Sequence, residues 1–297
     1  MARLSRAFKR LLVFAFVATV GLLAAAAGVG LLLSAPAHST IEAPPAELNA
    51  QAVEFPSASG ATIRGWFVAG QPGRGVVVLM HGLRGNRLPM VRRALALKSD
   101  GYAVLLFDFQ AHGASGGSRI TFGYREGQDA AAAIAFAKSR APNEKVGVIG
   151  TSLGGAAALL SKAPVDALVL EAVYPDIRAA TANRVTVVLG ERLGALLAQP
   201  LASVLEIVMA PILGVAPSQL RPIDRMAEIG APVLLLGGTA DDRTPPDETS
   251  AMFDRAAAPK YIWMIQGAGH TDFEQYAPAL YREHVLGFLG RYLRATQ

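Results

Sequence analysis

Apolar positions follow three rhythms along this chain. Residues 11–33 carry no charged side chain. From about residue 50 onward, short apolar runs recur at 52–55, 62–68, 76–80, 103–107, 146–149, 167–173, 233–236 and 261–265. The first two, joined through Ser59-Gly60, read as an opening antiparallel pair. The middle runs are continuously apolar, the pattern of parallel strands covered on both faces. Helical segments lie between them at 87–98, 124–138, 153–162, 246–257 and 278–293. This alternation predicts an α/β fold with a mostly parallel eight-stranded sheet, doubly wound and flanked by helices. The third rhythm interrupts the second at 176–229, which is long, apolar and helix-prone at 185–189, 193–197 and 201–209. A helical cap inserted over the C-terminal edge of the sheet is expected there.

As a helix, the uncharged stretch 11–33 would span about 35 Å, against a hydrocarbon core of about 30 Å. Arg3, Arg6, Lys9 and Arg10 flank it on one side only. The length favours an uncleaved signal anchor. A cleaved signal peptide with its site at Ala35-Pro36-Ala37 is the alternative, and Pro36 counts against it. Either way the positive end stays cytoplasmic and residue 40 onward is exported, to a periplasmic or extracellular side. Residues 1–37 are thus read as anchor or signal, 38–49 with Pro44 and Pro45 as an extended linker, and 50–297 as the folded domain.

Composition narrows the chemistry. The 297 residues are 52% hydrophobic and 17% charged, which excludes a disordered chain. A net charge of +5 suggests an anionic partner, yet the four basic residues of the amino-terminal flank carry most of it. The folded domain is left nearly neutral, so no nucleic-acid partner is expected. With no cysteine present, thiolate metal sites and cysteine nucleophiles are excluded.

Gly150-Thr151-Ser152-Leu153-Gly154 directly follows the run 146–149 and opens an alanine-rich helical segment. A turn this sharp strains its middle residue, and flanking glycines relieve the crowding, so the Ser152 hydroxyl should stand exposed above the sheet. That hydroxyl becomes a nucleophile only when a base takes its proton and a third group orients the base. His38 lies in the linker, and His284 falls on the outer face of the last helix. His81 and His112 follow early strands and suit bracing roles. His270, in Gly267-Ala268-Gly269-His270 just after the last run, is the candidate base. For the orienting acid, Asp241 or Asp242 follows the run 233–236. Asp241 is preferred, and Glu171 is a weaker competitor. Backbone N–H groups of Leu83 and Leu153 are the candidate oxyanion donors. Arg84 and Arg87 are candidate contacts for a substrate anion.

Taken together, His81-Gly82, the loop from Asp108 through His112-Gly113 to Ser115, the serine turn, the acid turn Gly238 to Pro245 and the terminal Gly269-His270 resemble the α/β-hydrolase superfamily. The similarity is to its branch of monoacylglycerol-lipase-like and serine-aminopeptidase-like enzymes. It spans nearly all of residues 50–295, although Ala111 replaces a usual glycine. The resemblance implies Asp241 as the acid, structural roles for Asp108 and His112, and a cap at 176–229 that shapes the pocket. It implies a serine hydrolase acting through Ser152, Asp241 and His270, with no cofactor and no metal. The expected substrate is a small hydrophobic ester, with the membrane as a partner through the amino-terminal helix. A peptidase or amidase on the same fold would need an acidic pocket, for which the cap offers Glu191, Glu206, Asp224 and Glu228. A catalytically silent, membrane-tethered binding protein is the rival from another class.

Overall fold

Side chains alternate between the two faces of a sheet, so each apolar run can supply two cores at once. The computed structural model describes residues 6–257 and 259–295; Arg3 of the basic flank and the chain's last two residues lie outside the described residues. Its main strands are β1 (Gln51–Pro56), β2 (Thr62–Val68), β3 (Val76–Met80), β4 (Ala103–Asp108), β5 (Val146–Thr151), β6 (Ala167–Glu171), β7 (Val233–Gly238) and β8 (Lys260–Ile265). They form one eight-stranded sheet in the order β1-β2-β4-β3-β5-β6-β7-β8. Strand β2 runs antiparallel to its neighbours β1 and β4, and every other adjacent pair is parallel.

The main helices are α1 (Arg6–Ser34), α2 (Val91–Ser99), α3 (Tyr124–Arg140), α4 (Leu153–Ser161), α5 (Ile177–Leu189), α6 (Glu191–Leu213) and α7 (Pro246–Arg255). A final helix covers 278–293, with a π turn at Arg282–Leu286. Val76, Val78 and Met80 of β3 enter the core shared with α3, α4 and α7. Val77 and Leu79 enter the opposite core, with α2 and the final helix. Period-two burial on a two-faced sheet therefore builds both layers.

Three expectations need revision. Strand β6 stops at Glu171, short of 173, because Ala172 turns the chain with φ of 48°. In the cap, the predicted pieces 193–197 and 201–209 are one helix, α6, that runs through Pro200. A proline removes one intrahelical hydrogen bond, and here packing on α5 holds the helix together. The two helices fold back at Gly190, whose φ of 77° suits glycine. They lie so close that a Cβ on Gly194 would fall 2.7 Å from Thr186 Cγ2.

The third revision concerns 38–49, which is not a loose spacer. Ala37–His38 pairs in parallel with His112–Gly113, His38 Nε2 lies 3.0 Å from the Gly117 carbonyl, and Leu48 is buried in the core that holds α2 and the final helix. The end of α1 is fixed too. The Ser34 carbonyl accepts from Ile120 N–H at 2.8 Å, and the carbonyls of Leu32 and Ala35 accept from Arg84 Nη1 at 3.4 and 3.2 Å.

Candidate active site

Ser152 sits between the last residue of β5 and the first of α4, with φ 51° and ψ −111°. A non-glycine residue there carries of order 1–3 kcal/mol of strain. The turn is enforced by close packing. A Cβ on Gly154 would lie 2.2 Å from the Met80 carbonyl oxygen, and one on Gly150 would lie 2.6 Å from Gly155 Cα. The Ser152 N–H donates to the Glu171 carbonyl at 2.7 Å, tying the turn to the end of β6. Leu153 begins α4, so its N–H is among those that a helix leaves without an intrahelical acceptor.

Parallel strands β5, β7 and β8 bring Ser152, Asp241 and His270 to one edge of the sheet. Asp241 Oδ2 lies 2.8 Å from His270 Nδ1. The same oxygen accepts from the Thr244 hydroxyl at 2.7 Å, and Oδ1 accepts from the N–H groups of Arg243 and Thr244 at 2.8 and 2.9 Å. Burial alone would raise the Asp241 carboxyl, but the hydrogen bond and charge of His270, with the Thr244 donors, hold it below the usual carboxylate range. Asp242 is exposed. Among the described residues Ser152 Oγ makes no hydrogen bond to His270, so that contact stands open in this structure.

The loop after β3 covers the serine: a Cβ on Gly82 would lie 3.8 Å from Ser152 Cβ. Two neutral imidazoles brace it. His81 Nδ1–H donates to the Gly82 carbonyl at 2.8 Å, and its Nε2 accepts from Phe109 N–H at 3.1 Å. His112 Nδ1–H donates to the Gln110 carbonyl at 2.8 Å, and its Nε2 accepts from Arg84 N–H at 3.1 Å, one residue beyond Leu83. Burial, then the facing His112, pushes His81 down to about 4. Burial likewise lowers His112.

The two arginines expected near a substrate anion are engaged elsewhere. Arg87 is buried, paired with Asp108 at 2.7 Å and held over the Trp66 ring. Arg84 points its guanidinium at the end of α1. Among the described residues Glu171 makes no hydrogen bond to His270. It accepts from Arg93 Nη2 at 2.8 Å, from Thr151 Oγ1 at 2.8 Å and from the Tyr281 hydroxyl. Arg93, 1% exposed, also reaches Asp272 at 2.9 Å, two residues beyond His270. Sequence reasoning missed this network, for an arginine within an amphipathic helix reads as surface. Its one visible signal is the placing of Arg93 on the same helical face as Met90, Ala94 and Leu97.

Above Ser152, Leu153 and Leu83 opens a cavity of about 480 Å³, walled by α5, α6 and the last turns of α1. Most of its lining is aliphatic. Glu206, which reaches it from α6, is held by Arg178 Nη2 and Nε at 2.6 and 2.9 Å, and the Tyr174 hydroxyl is spent on the Phe122 carbonyl at 3.0 Å. Arg184 lines the same space, its pKa lowered by burial.

A family model described as serine aminopeptidase, S33, matches residues 71–210. YqkD of Bacillus subtilis is 24% identical over 255 residues, covering 84% of this chain and 83% of its own. The α/β-hydrolase domain-containing protein WAV2 of Arabidopsis thaliana is 28% identical over 263 residues, covering 84% and 82%. Among solved structures, the Pyrococcus furiosus esterase Pf2001 matches with a TM-score of 0.72 at 24% identity, over 88% of this chain and 98% of that one. At that identity the likeness carries the fold. The sheet ordered 1-2-4-3-5-6-7-8 and flanked by helices is the α/β-hydrolase fold, and over residues 71–210 the chain is similar to a hydrolase family of that superfamily.

Proposed function

We propose that the chain is a serine hydrolase that cleaves a carboxyl ester through an acyl-enzyme. The observation that carries this reading is the 2.8 Å contact between Asp241 and His270 at the same sheet edge as the strained Ser152. Ser152 Oγ attacks the ester carbonyl carbon while its proton passes to His270 Nε2. The oxyanion is taken by the N–H groups of Leu83 and Leu153. The C–O bond to the leaving alkoxide then breaks, and that oxygen collects the proton from His270. Water repeats the sequence and frees the acid. Asp241 keeps the proton of the resting imidazole on Nδ1, so that Nε2 is the acceptor. The open Ser152–His270 contact is consistent with a hydrogen bond that tightens only in the Michaelis complex.

Amide cleavage is the second reading, favoured by the description of the matched family model. An aminopeptidase needs a free carboxylate for the substrate's amino terminus. The carboxylate that lines the chamber, Glu206, is neutralised by Arg178, which supports the ester.

For location, we read α1 as an uncleaved anchor with the catalytic domain on the exported side, a cleaved and secreted form being the alternative. Cutting after Ala37 would split Ala37 from His38, a two-residue strand whose backbone is already paired into the domain.

A fluorophosphonate applied to the full chain in detergent should label Ser152. Ser152→Ala should lower kcat on p-nitrophenyl butyrate by about 10⁴-fold or more. A loss under about tenfold would mean that another residue is the nucleophile, and turnover of peptide amides above that of esters would favour the second reading.

A further inference from the structure

The last turns of α1 do double duty. Val29, Gly30 and Leu33 belong to an apolar helix of mean hydropathy 2.4, and they also form part of the wall of the chamber above Ser152. The contact is close: a Cβ on Gly30 would fall 1.8 Å from Met209 Sδ of α6. Geometry then sets the depth. The uncharged stretch begins at Leu11, and a hydrocarbon core of about 30 Å takes up about 20 helical residues. The far boundary of the bilayer therefore falls near Gly30, level with the chamber.

Beside it, the outer surface of the cap is apolar as well. Leu193, Leu196 and Ile207 of α6 are 53%, 71% and 72% exposed, and Val188 of α5, at the rim of the chamber, is 82% exposed. Helix α6 has a mean hydropathy of 1.8, and its one mid-helix carboxylate, Glu206, is turned inward to Arg178. A soluble protein pays for such a surface in water, whereas a surface continuous with a membrane helix is covered by the lipid that covers the helix.

We infer that the cap lies in the membrane interface beside α1, and that the substrate is an acyl lipid drawn from the bilayer into the chamber between α1 and α6. This rests on the ester-hydrolase reading above. The bilayer supplies the apolar chain directly to the aliphatic lining, and only the ester linkage needs to reach Ser152 at the chamber floor.

The chain has no cysteine, so Leu196→Cys gives a single labelling site for an environment-sensitive fluorophore. With the full chain in phosphatidylcholine vesicles, the probe should be blue-shifted and quenched by nitroxide lipids. Solvent-like emission would overturn the proposal. So would a blue-shifted probe that nitroxide lipids leave unquenched, which would place this face against a second copy of the chain.

The functional arm uses Leu196→Asp with Ile207→Asp, neither of which lines the chamber. Hydrolysis of monooleoylglycerol carried in the same vesicles should fall at least about tenfold, while turnover of dissolved p-nitrophenyl butyrate stays within about twofold. Equal rates on the lipid in parent and variant would overturn the inference and leave the esterase reading intact. If both activities fall together, the cap has been damaged, and the fluorescence arm decides. Absence of turnover on either substrate by the parent, with Ser152 unlabelled, would instead sink the underlying hydrolase reading.

Discussion

Replacing Asp241 by asparagine exchanges one oxygen for an NH₂ group, and the surrounding donors dictate which one. Oδ1 faces two backbone N–H groups, those of Arg243 and Thr244, at 2.8 and 2.9 Å. An amide NH₂ placed there would oppose two donors, so the asparagine oxygen must keep that position. The NH₂ then replaces Oδ2 and faces His270 Nδ1, 2.8 Å away. To avoid a donor meeting a donor, the imidazole must move its proton to Nε2, where it can no longer accept from Ser152. The imidazolium formed during attack also loses its counter-charge. The expected loss in kcat on p-nitrophenyl butyrate is about 10⁴-fold, or about 5 kcal/mol of transition-state stabilisation. KM should move little, because Asp241 does not line the chamber. The exposed Asp242, changed to asparagine in parallel, should stay within about twofold. A loss under about tenfold for Asp241→Asn, or a larger loss for Asp242→Asn, would refute this reasoning.

Two further outcomes concern stability. Arg93→Met leaves the buried Glu171 and the half-buried Asp272 without their cation and should cost about 3–5 kcal/mol. That is roughly 10 °C in Tm for a chain of this size by differential scanning calorimetry. Adding Glu171→Leu should restore part of it, and a Tm within about 2 °C of the parent for Arg93→Met would show the network to be inert. Glu248 is pushed up to about 7, chiefly by burial, and its Oε2 is buried without a partner while Oε1 accepts from Asn183 Nδ2 at 2.6 Å. A carboxyl whose folded pKa is raised binds more protons in the native state. Its stabilisation is therefore full below its unfolded value near 4.5 and is lost as pH rises through about 7. Glu248→Gln should accordingly stabilise the protein relative to the parent at pH 8 by roughly 1 kcal/mol after solvent screening, read as a higher Tm, and the gain should vanish at pH 5. A pH-independent difference would contradict this assignment.

The strands were legible because a doubly covered sheet demands continuous apolar runs, and the serine turn because it falls between one such run and an alanine-rich helix. Asp241 and His270 stood out in the sequence because each follows a strand at the edge where parallel sheets place their loops, and the fold sets their side chains 2.8 Å apart. What escaped the sequence depends on partners distant along the chain. Arg87 looked free until the fold set Asp108 beside it. Arg93, Glu171 and Asp272 come from α2, β6 and the loop after β8, and no local pattern relates them. The continuity of α6 through Pro200 was hidden because local propensity breaks a helix that packing on α5 sustains. The docking of 37–38 onto 112–113 was invisible for the same reason: a two-residue strand has no periodicity of its own.

That docking bears on how the protein can be handled. A form trimmed at residue 40 to make it easier to purify would lose Val29, Gly30 and Leu33 from one side of the chamber, uncover Met209, and free the Arg84 guanidinium that now grips the Leu32 and Ala35 carbonyls. Substrate preferences recorded on such a shortened protein would describe a vessel with one wall missing and water let in beside the serine, so they have to be measured on the intact polypeptide.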